Sequence, residues 1–150
     1  MIVFAYGSNM DTETLDEHEI LEETSRREAA TLAGYRLAWN HQPVTRPGGA
    51  ANAEVAPGES LPGVALWVTA RGLALIDVKE GRPTAYERHL VSIVLASGEA
   101  LEAWVYVSMR PEPGDIWPPR AYRDAIVRGA EAHGLAPAHI RVLKATRTRD

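Results

Sequence analysis

Ile2-Val3-Phe4-Ala5-Tyr6-Gly7-Ser8-Asn9-Met10 is a short apolar run that stops at a glycine and two small polar residues. A run of this length, followed at once by turn-forming residues, is typical of a strand that ends in a tight turn. Asp11 comes next and can cap a short helix that runs through Leu15 towards Ile20. The sequence therefore predicts a strand, a turn and a helix in direct succession.

The turn Gly7-Ser8-Asn9 is a candidate site for an anion. Such a turn exposes consecutive backbone N–H groups, and a glycine lets a ligand approach the backbone closely. Donors placed before a helix suit a carboxylate or a developing oxyanion. The same residues also occur in plain strand-to-helix connections, so both interpretations stay open at this point.

The rest of the chain contains more strands than helices. Strand patterns cover Tyr35–Asn40, Ala53–Val55, Gly63–Val68, Tyr86–Leu95 and Leu101–Val107, with a loop over His41–Ala51. Helices are predicted from Thr69 as N-cap to Lys79, from Arg120 to His133, and shortly after Pro137. The last two long strands form a hairpin across Ser97-Gly98. Because the strands neighbour one another instead of alternating with helices, we expect one α+β domain over residues 1–150 with a mainly antiparallel sheet, open or closed as a small barrel.

Composition narrows the class of protein. The 150 residues carry a net charge of −4 with scattered Lys and Arg, so no basic surface for nucleic acid is predicted. The absence of cysteine excludes disulfides, thiol nucleophiles and cysteine-ligated zinc, and it is compatible with a reducing compartment. No apolar run is long enough to cross a bilayer, and residues 1–6 do not resemble a signal peptide. We expect a soluble, cytoplasmic protein with no membrane partner.

Glu80 is the second candidate site residue, because it stands where the helix that begins at Thr69 would end. A carboxylate at that end of a helix is disfavoured by roughly 0.3–1 kcal/mol when exposed. This favours the protonated form and suits a proton-transfer group. Lys79 and Arg82 act in the opposite sense if their side chains are close. An ordinary solvated glutamate is the commoner explanation of such a position, and Asp77 is a weaker candidate for a second carboxylate.

Other chemistries lack their signatures. The five histidines show no metal-ligand spacing, and Ser8 lies in no nucleophile elbow and has no assignable base. Neither a phosphate-binding loop nor a dinucleotide fingerprint is present. We therefore predict no metal and no cofactor.

Four separated segments share the order and spacing of one family's motifs. They are Phe4–Met10, Leu75–Gly81 followed by Tyr86-Glu87-Arg88, Ala103–Val107, and the stretch from Pro119 through Tyr122 to Gly134. Together they resemble the γ-glutamylcyclotransferase-like (AIG2-like) family. Ile76 stands where that family usually has leucine, which is a volume-conserving change.

The resemblance implies a small antiparallel β-barrel with flanking helices. It also implies conversion of a γ-glutamyl amino acid, peptide or amine to 5-oxoproline and a free amine. Glu80 is the implied proton-transfer residue. The implied substrate site consists of Tyr6, Gly7, Ser8, Asn9, Met10 and Tyr106. The expected partner is a small γ-glutamyl molecule, and the expected assembly is a monomer or a homodimer.

Several alternatives remain open on the sequence. The enzyme can belong to the γ-glutamylamine or the biosynthetic deprotecting type, with the same chemistry and another leaving group. The fold can also serve a non-catalytic binding module. Tyr86 and Tyr106 fit a barrel core as well as a pocket, and Arg88 fits a structural ion pair better than a substrate contact.

Overall fold

Five strands close into a barrel in the computed structural model, which describes residues 1–150. The elements in chain order are β1 (Ile2–Ala5), α1 (Thr12–Glu17), β2 (Thr24–His41), β3 (Ala50–Val68), α2 (Ala70–Lys79), β4 (Tyr86–Leu95), β5 (Ala100–Ser108), α3 (Arg120–Ala132) and α4 (Pro137–Ala145). The strand order around the barrel is β1-β3-β2-β4-β5. Only the β1–β5 pair is parallel. This confirms the predicted α+β class, with a mainly antiparallel barrel and flanking helices.

The short strand β1 closes the barrel. Val3 pairs with Leu66 on β3 and with Trp104 on β5, so this strand joins the two ends of the sheet. Val3 and Phe4 are buried, as the apolar run predicts. A 3-10 turn over Ser8–Met10 follows the strand, and the barrel therefore fixes where that turn begins.

The helix after the turn is capped as predicted but is shorter. The Asp11 carboxylate accepts a hydrogen bond of 3.2 Å from the backbone N–H of Thr14, which satisfies one of the free donors of the first turn. Helix α1 ends at Glu17 and does not reach Ile20. Glu19 has a φ of 62°, so the chain leaves the helical conformation there.

Strands β2 and β3 are much longer than predicted, with 18 and 19 residues. The separate strands predicted before and after Pro57-Gly58 are both parts of β3. Gly34 has a φ of 82° and Gly58 a φ of 85°, and the pairing register shifts between Ala33 and Tyr35. A β-bulge therefore accommodates Gly34 and Pro57-Gly58, residues that locally favour the end of a strand.

Helix α2 has the predicted boundaries. The Thr69 hydroxyl accepts a hydrogen bond of 3.0 Å from the N–H of Gly72, and Gly81 follows the helix with a φ of 66°. Leu73 and Ile76 are buried on the face turned to the barrel. Because both ends are fixed, Glu80 is held at the C-cap position.

Helix α3 packs directly on the turn that follows β1. A Cβ atom on Gly129 would lie 2.6 Å from the Cβ of Met10, so only glycine permits this approach. Gly134 follows the helix with a φ of 61°, as predicted. None of the helices combines the length and the hydropathy that a bilayer crossing requires.

Candidate functional site

A cleft of about 690 Å³ lies between the turn after β1, the end of α2, residues 43–46 and α3. A small recess of about 20 Å³ shares Ser8, Glu80 and Tyr122 with this cleft. A second cavity of about 580 Å³, between the β2–β3 hairpin and α4, contains none of the predicted site residues. The two adjoining spaces around Glu80 are therefore the candidate site.

The turn leaves three backbone donors without partners. The N–H groups of Gly7, Ser8 and Asn9 have no acceptor within the protein. Met10 instead donates its N–H to the carbonyl of Gly7 at 3.0 Å, which closes the turn. The three residues line the recess beside the barrel, and successive N–H groups without partners are the arrangement that binds anions and oxyanions.

Gly7 contributes space at the turn. A Cβ atom here would lie 3.3 Å from the Cβ of Ala51 and 3.8 Å from the hydroxyl of Tyr122. The missing side chain keeps the recess open next to the free N–H groups.

Glu80 lies against the turn, and Lys79 joins them. The Nζ atom of Lys79 is 3.2 Å from Oε2 of Glu80 and 3.1 Å from Oγ of Ser8. The Glu80 side chain is only 18% exposed. The two sequence candidates, the turn and the glutamate, are therefore brought together. The positive charge of Lys79 therefore offsets the unfavourable position of the Glu80 carboxylate at the end of the helix. Arg82 does not contact Glu80 and instead forms ion pairs with Glu87 and Asp77.

The tyrosines predicted for the site are anchored in the barrel. The Tyr6 hydroxyl donates to the carbonyl oxygen of Tyr106 at 2.6 Å, and the Tyr106 hydroxyl donates to Asp77 at 2.6 Å. Burial, with a smaller contribution from the charge of Glu80, raises the pKa of Tyr6 far above its ordinary value. Burial and the bond to Asp77 also raise the pKa of Tyr106. Both hydroxyls therefore stay protonated, and both side chains line the recess.

Asp77 and Arg88 form the structural ion pair that the sequence favours. Arg88 donates to Asp77 through Nε at 2.9 Å, and its guanidinium also lies 4.2 Å from the ring centre of Trp104. The Asp77 carboxylate accepts hydrogen bonds from both the Arg88 guanidinium and the Tyr106 hydroxyl. It is therefore a support for the site wall and is not a free carboxylate.

Asn9 and Met10 differ in their position. Asn9 is buried, lines the recess, and its Oδ1 atom has no hydrogen-bond partner. Met10 is fully buried, lies against Gly129 and lines neither the cleft nor the recess. Met10 thus fixes the turn against α3, and the other predicted turn residues border the space for a ligand.

The sequence analysis did not identify three aromatic side chains of the cleft as a group. The Tyr86 hydroxyl donates to the carbonyl of Ala51 at 2.7 Å, and the Tyr122 hydroxyl accepts from the N–H of Ala51 at 3.0 Å. The ring of His41 lies 4.4 Å from that of Tyr86. These contacts fix the wall around Ala51, next to the turn. Nothing in their local patterns indicates this, because they come from three distant segments.

The chain matches the family model described as "Gamma-glutamyl cyclotransferase, AIG2-like" over residues 3–140. A solved structure described as a gamma-glutamyl cyclotransferase is 25% identical with a TM-score of 0.88, covering 99% of this chain and 89% of that chain. A human protein described as uncharacterized protein loc79017 is 26% identical with a TM-score of 0.87 and the same coverage.

A yeast structure described as a cyclotransferase specific to glutathione shares the fold, with 13% identity, a TM-score of 0.61, and coverage of 95% of this chain and 93% of that chain. No curated protein sequence matches the chain. The family match covers nearly every residue that forms the barrel and both walls of the cleft. The chain therefore belongs to the AIG2-like gamma-glutamyl cyclotransferase family.

Proposed function

We propose that this protein converts a γ-glutamyl compound to 5-oxoproline and a free amine, with Glu80 as the proton-transfer residue. The observation that carries the proposal is the shared recess of Glu80 and the three unpartnered N–H groups of residues 7–9. Family membership supports the general reaction class.

The reaction is an acyl transfer within the substrate. The α-amine of the γ-glutamyl group attacks its own γ-carbonyl carbon, a new C–N bond closes the ring, and the original amide C–N bond breaks. The enzyme needs no nucleophile of its own. Its main task is to hold the substrate in a ring-closing geometry, and well-oriented intramolecular reactions gain about 7–11 kcal/mol in this way.

The turn is suited to the charge that develops on the γ-carbonyl oxygen. The N–H groups of Gly7, Ser8 and Asn9 have no acceptor that they would have to release. Donors that are already oriented stabilise an oxyanion without a cost of rearrangement, and loss of one such donor typically lowers the rate about 10²–10³-fold. The recess of about 20 Å³ has room for a single oxygen atom and not for a whole substrate, so the rest of the ligand occupies the cleft.

Glu80 is placed to move the protons. It takes one proton from the attacking amine and returns one to the departing nitrogen, so the enzyme ends each cycle in its starting state. Such transfers contribute about 10²–10⁴-fold. The bridge from Lys79 to Ser8 holds the carboxylate next to the turn.

The test is Glu80→Gln, with release of 5-oxoproline from γ-glutamyl dipeptides and amines as the readout. We expect a loss of turnover of at least roughly 10²-fold with an unchanged circular dichroism spectrum. Glu99→Gln, in the exposed β4–β5 turn, is the matched control and should keep wild-type turnover. If the Glu80 variant works at the wild-type rate, the assignment is wrong.

A further inference from the structure

Two arginines of the cleft have no acidic partner. Arg46 and Arg110 line the same space as Glu80, and neither forms an ion pair with an Asp or Glu side chain. The other cationic side chains of the cleft are paired: Lys79 contacts Glu80, and Arg128 contacts Asp11 and Glu13. The positive charge of these two arginines is therefore available to a ligand.

Arg46 is held in place before any ligand arrives. Its guanidinium lies 4.6 Å from the ring centre of Tyr122. Its Nη1 atom donates to the carbonyls of Pro47 and Gly48 at 3.1 and 2.9 Å. A planar guanidinium fixed in this way loses little further conformational freedom on binding a carboxylate. The loop over residues 42–49 thus presents an oriented cation to the cleft.

The two arginines lie in the outer space and not in the recess. Neither of them lines the recess, whereas Ser8, Glu80 and Tyr122 line both spaces. The charges of both arginines also act on His41, which lines the same cleft. Burial lowers the pKa of His41, and the positive charges of Arg110 and Arg46 lower it further. The negative charge of Glu80 acts in the opposite direction. A ligand that extends from the recess past Glu80 towards the loop of residues 43–46 therefore approaches two cations that no carboxylate neutralises.

We propose that Arg46 and Arg110 bind a carboxylate on the departing amine, so that the substrates are γ-glutamyl amino acids and peptides and not γ-glutamyl amines that lack this group. The inference rests on the proposed cyclisation. The γ-glutamyl group must fold back on itself to bring its α-amine to the γ-carbon, which keeps its own carboxylate near the turn. The departing group points away from the new ring, towards the outer cleft where the arginines are.

The test compares γ-glutamyl-L-alanine with γ-glutamylethylamide, which differ only in the carboxylate of the departing amine. We expect the wild-type protein to have a kcat/KM at least roughly tenfold higher for the alanine compound, the size of one charge-assisted hydrogen bond. Arg46→Gln and the double variant Arg46→Gln/Arg110→Gln should remove this advantage while changing kcat/KM for the ethylamide less than about threefold. Arg46→Lys should restore part of it, since the charge remains without the paired donors.

Two results would overturn the inference. An equal loss for both compounds would place the arginines at the carboxylate of the γ-glutamyl group itself, and no loss for either would remove them from recognition. Arg141→Gln, on the exposed side of α4 and outside the cleft, is the control and should leave both values unchanged.

Calorimetric binding separates this inference from the proposed reaction. If neither compound is cyclised, the proposed function is wrong, but the wild-type protein should still bind the alanine compound more tightly, and the double variant should lose that difference. Equal affinity for the two compounds, or no binding of the alanine compound, contradicts the assignment of the arginines.

Discussion

The side chains of Lys79 and Glu80, neighbours in sequence at the end of α2, meet through a contact of 3.2 Å between Nζ and Oε2. The same ammonium group donates to the hydroxyl of Ser8 at 3.1 Å. One side chain therefore links the last turn of α2 to the turn that follows β1, and it is only 13% exposed. This bridge fixes the distance between the proposed proton-transfer group and the free N–H groups.

The first prediction concerns this bridge. Lys79→Met keeps most of the side-chain volume but removes the charge and both hydrogen bonds. We expect kcat to fall roughly tenfold, because small displacements of a catalytic group have large effects, with a smaller change in KM.

Lys144→Met is the control for the bridge, since Lys144 is exposed and pairs only with Glu131. It should keep wild-type kinetics. If Lys79→Met lowers thermal stability but leaves kcat unchanged, Lys79 supports the fold and does not position Glu80.

The second prediction concerns the space at Gly7. Gly7→Ala puts a methyl group 3.3 Å from the Cβ of Ala51 and near the Tyr122 hydroxyl. We expect the protein to stay folded, because a contact of 3.3 Å requires the neighbour to move by only a few tenths of an ångström. The methyl group narrows the recess, and kcat/KM should fall by about 10²-fold, comparable to the loss of an oxyanion donor.

Gly114→Ala is the matched control, because a Cβ there meets no atom within 4 Å. Both variants are measured by thermal unfolding and by release of 5-oxoproline. Full activity of Gly7→Ala would show that the reacting carbonyl does not enter the recess.

The third prediction concerns the contact between α3 and the turn. Gly129→Ala places a Cβ atom 2.6 Å from both the Cβ and the carbonyl carbon of Met10, so the helix or the turn must shift. Overpacking of this kind typically costs about 1–3 kcal/mol, and we expect that decrease in the free energy of unfolding in urea. Activity should fall as well, since the displaced segment carries the free N–H groups. An unchanged unfolding midpoint would contradict this packing.

The fourth prediction concerns the pH dependence of stability at Asp11. Burial raises the pKa of this carboxyl, but hydrogen bonds from Arg128 and Thr14 outweigh burial and leave the pKa below its ordinary value. A lowered folded-state pKa means that the unfolded chain binds more protons, so this stabilisation is present above about pH 4 and is lost as the pH falls through the folded-state value.

Asp11→Asn keeps a good N-cap residue and removes only the charge. At pH 7 we expect the free energy of unfolding to fall by roughly 0.2–1 kcal/mol, the range of partly exposed ion pairs, and the difference from wild type should shrink below pH 4. Asp16→Asn, exposed on the same helix, is the control. A difference that does not change with pH would mean that packing, and not charge, is responsible.

Local signals predicted the elements that have clear ends. Thr69 and Gly81 bracket α2, and Gly134 follows α3, because a side-chain cap and a residue with positive φ are local requirements. The same signals were misleading at Gly34 and Gly58. There the long-range pairing of β2 with β3 outweighs the local preference, and a bulge accommodates both glycines.

The candidate site was predictable only in part. The turn after β1 and Glu80 were predicted from motif resemblance and helix-end position, and the structure brings them together. The contact of Lys79 with Ser8 and the position of Arg46 over Tyr122 are known only from the structure. These contacts join residues 71 and 76 positions apart, and no local pattern encodes such distances.

The parallel pairing of Val3 with Trp104 has a consequence for the order of folding. Contacts between residues so far apart in the chain close large loops and form late. The β4–β5 hairpin and the helices depend on nearer neighbours and can appear first. Strand β1, the four-residue strand that precedes the turn, can pair fully only after β3 and β5 have formed. A refolding chain should therefore regain its far-ultraviolet dichroism before it regains the ability to bind a ligand.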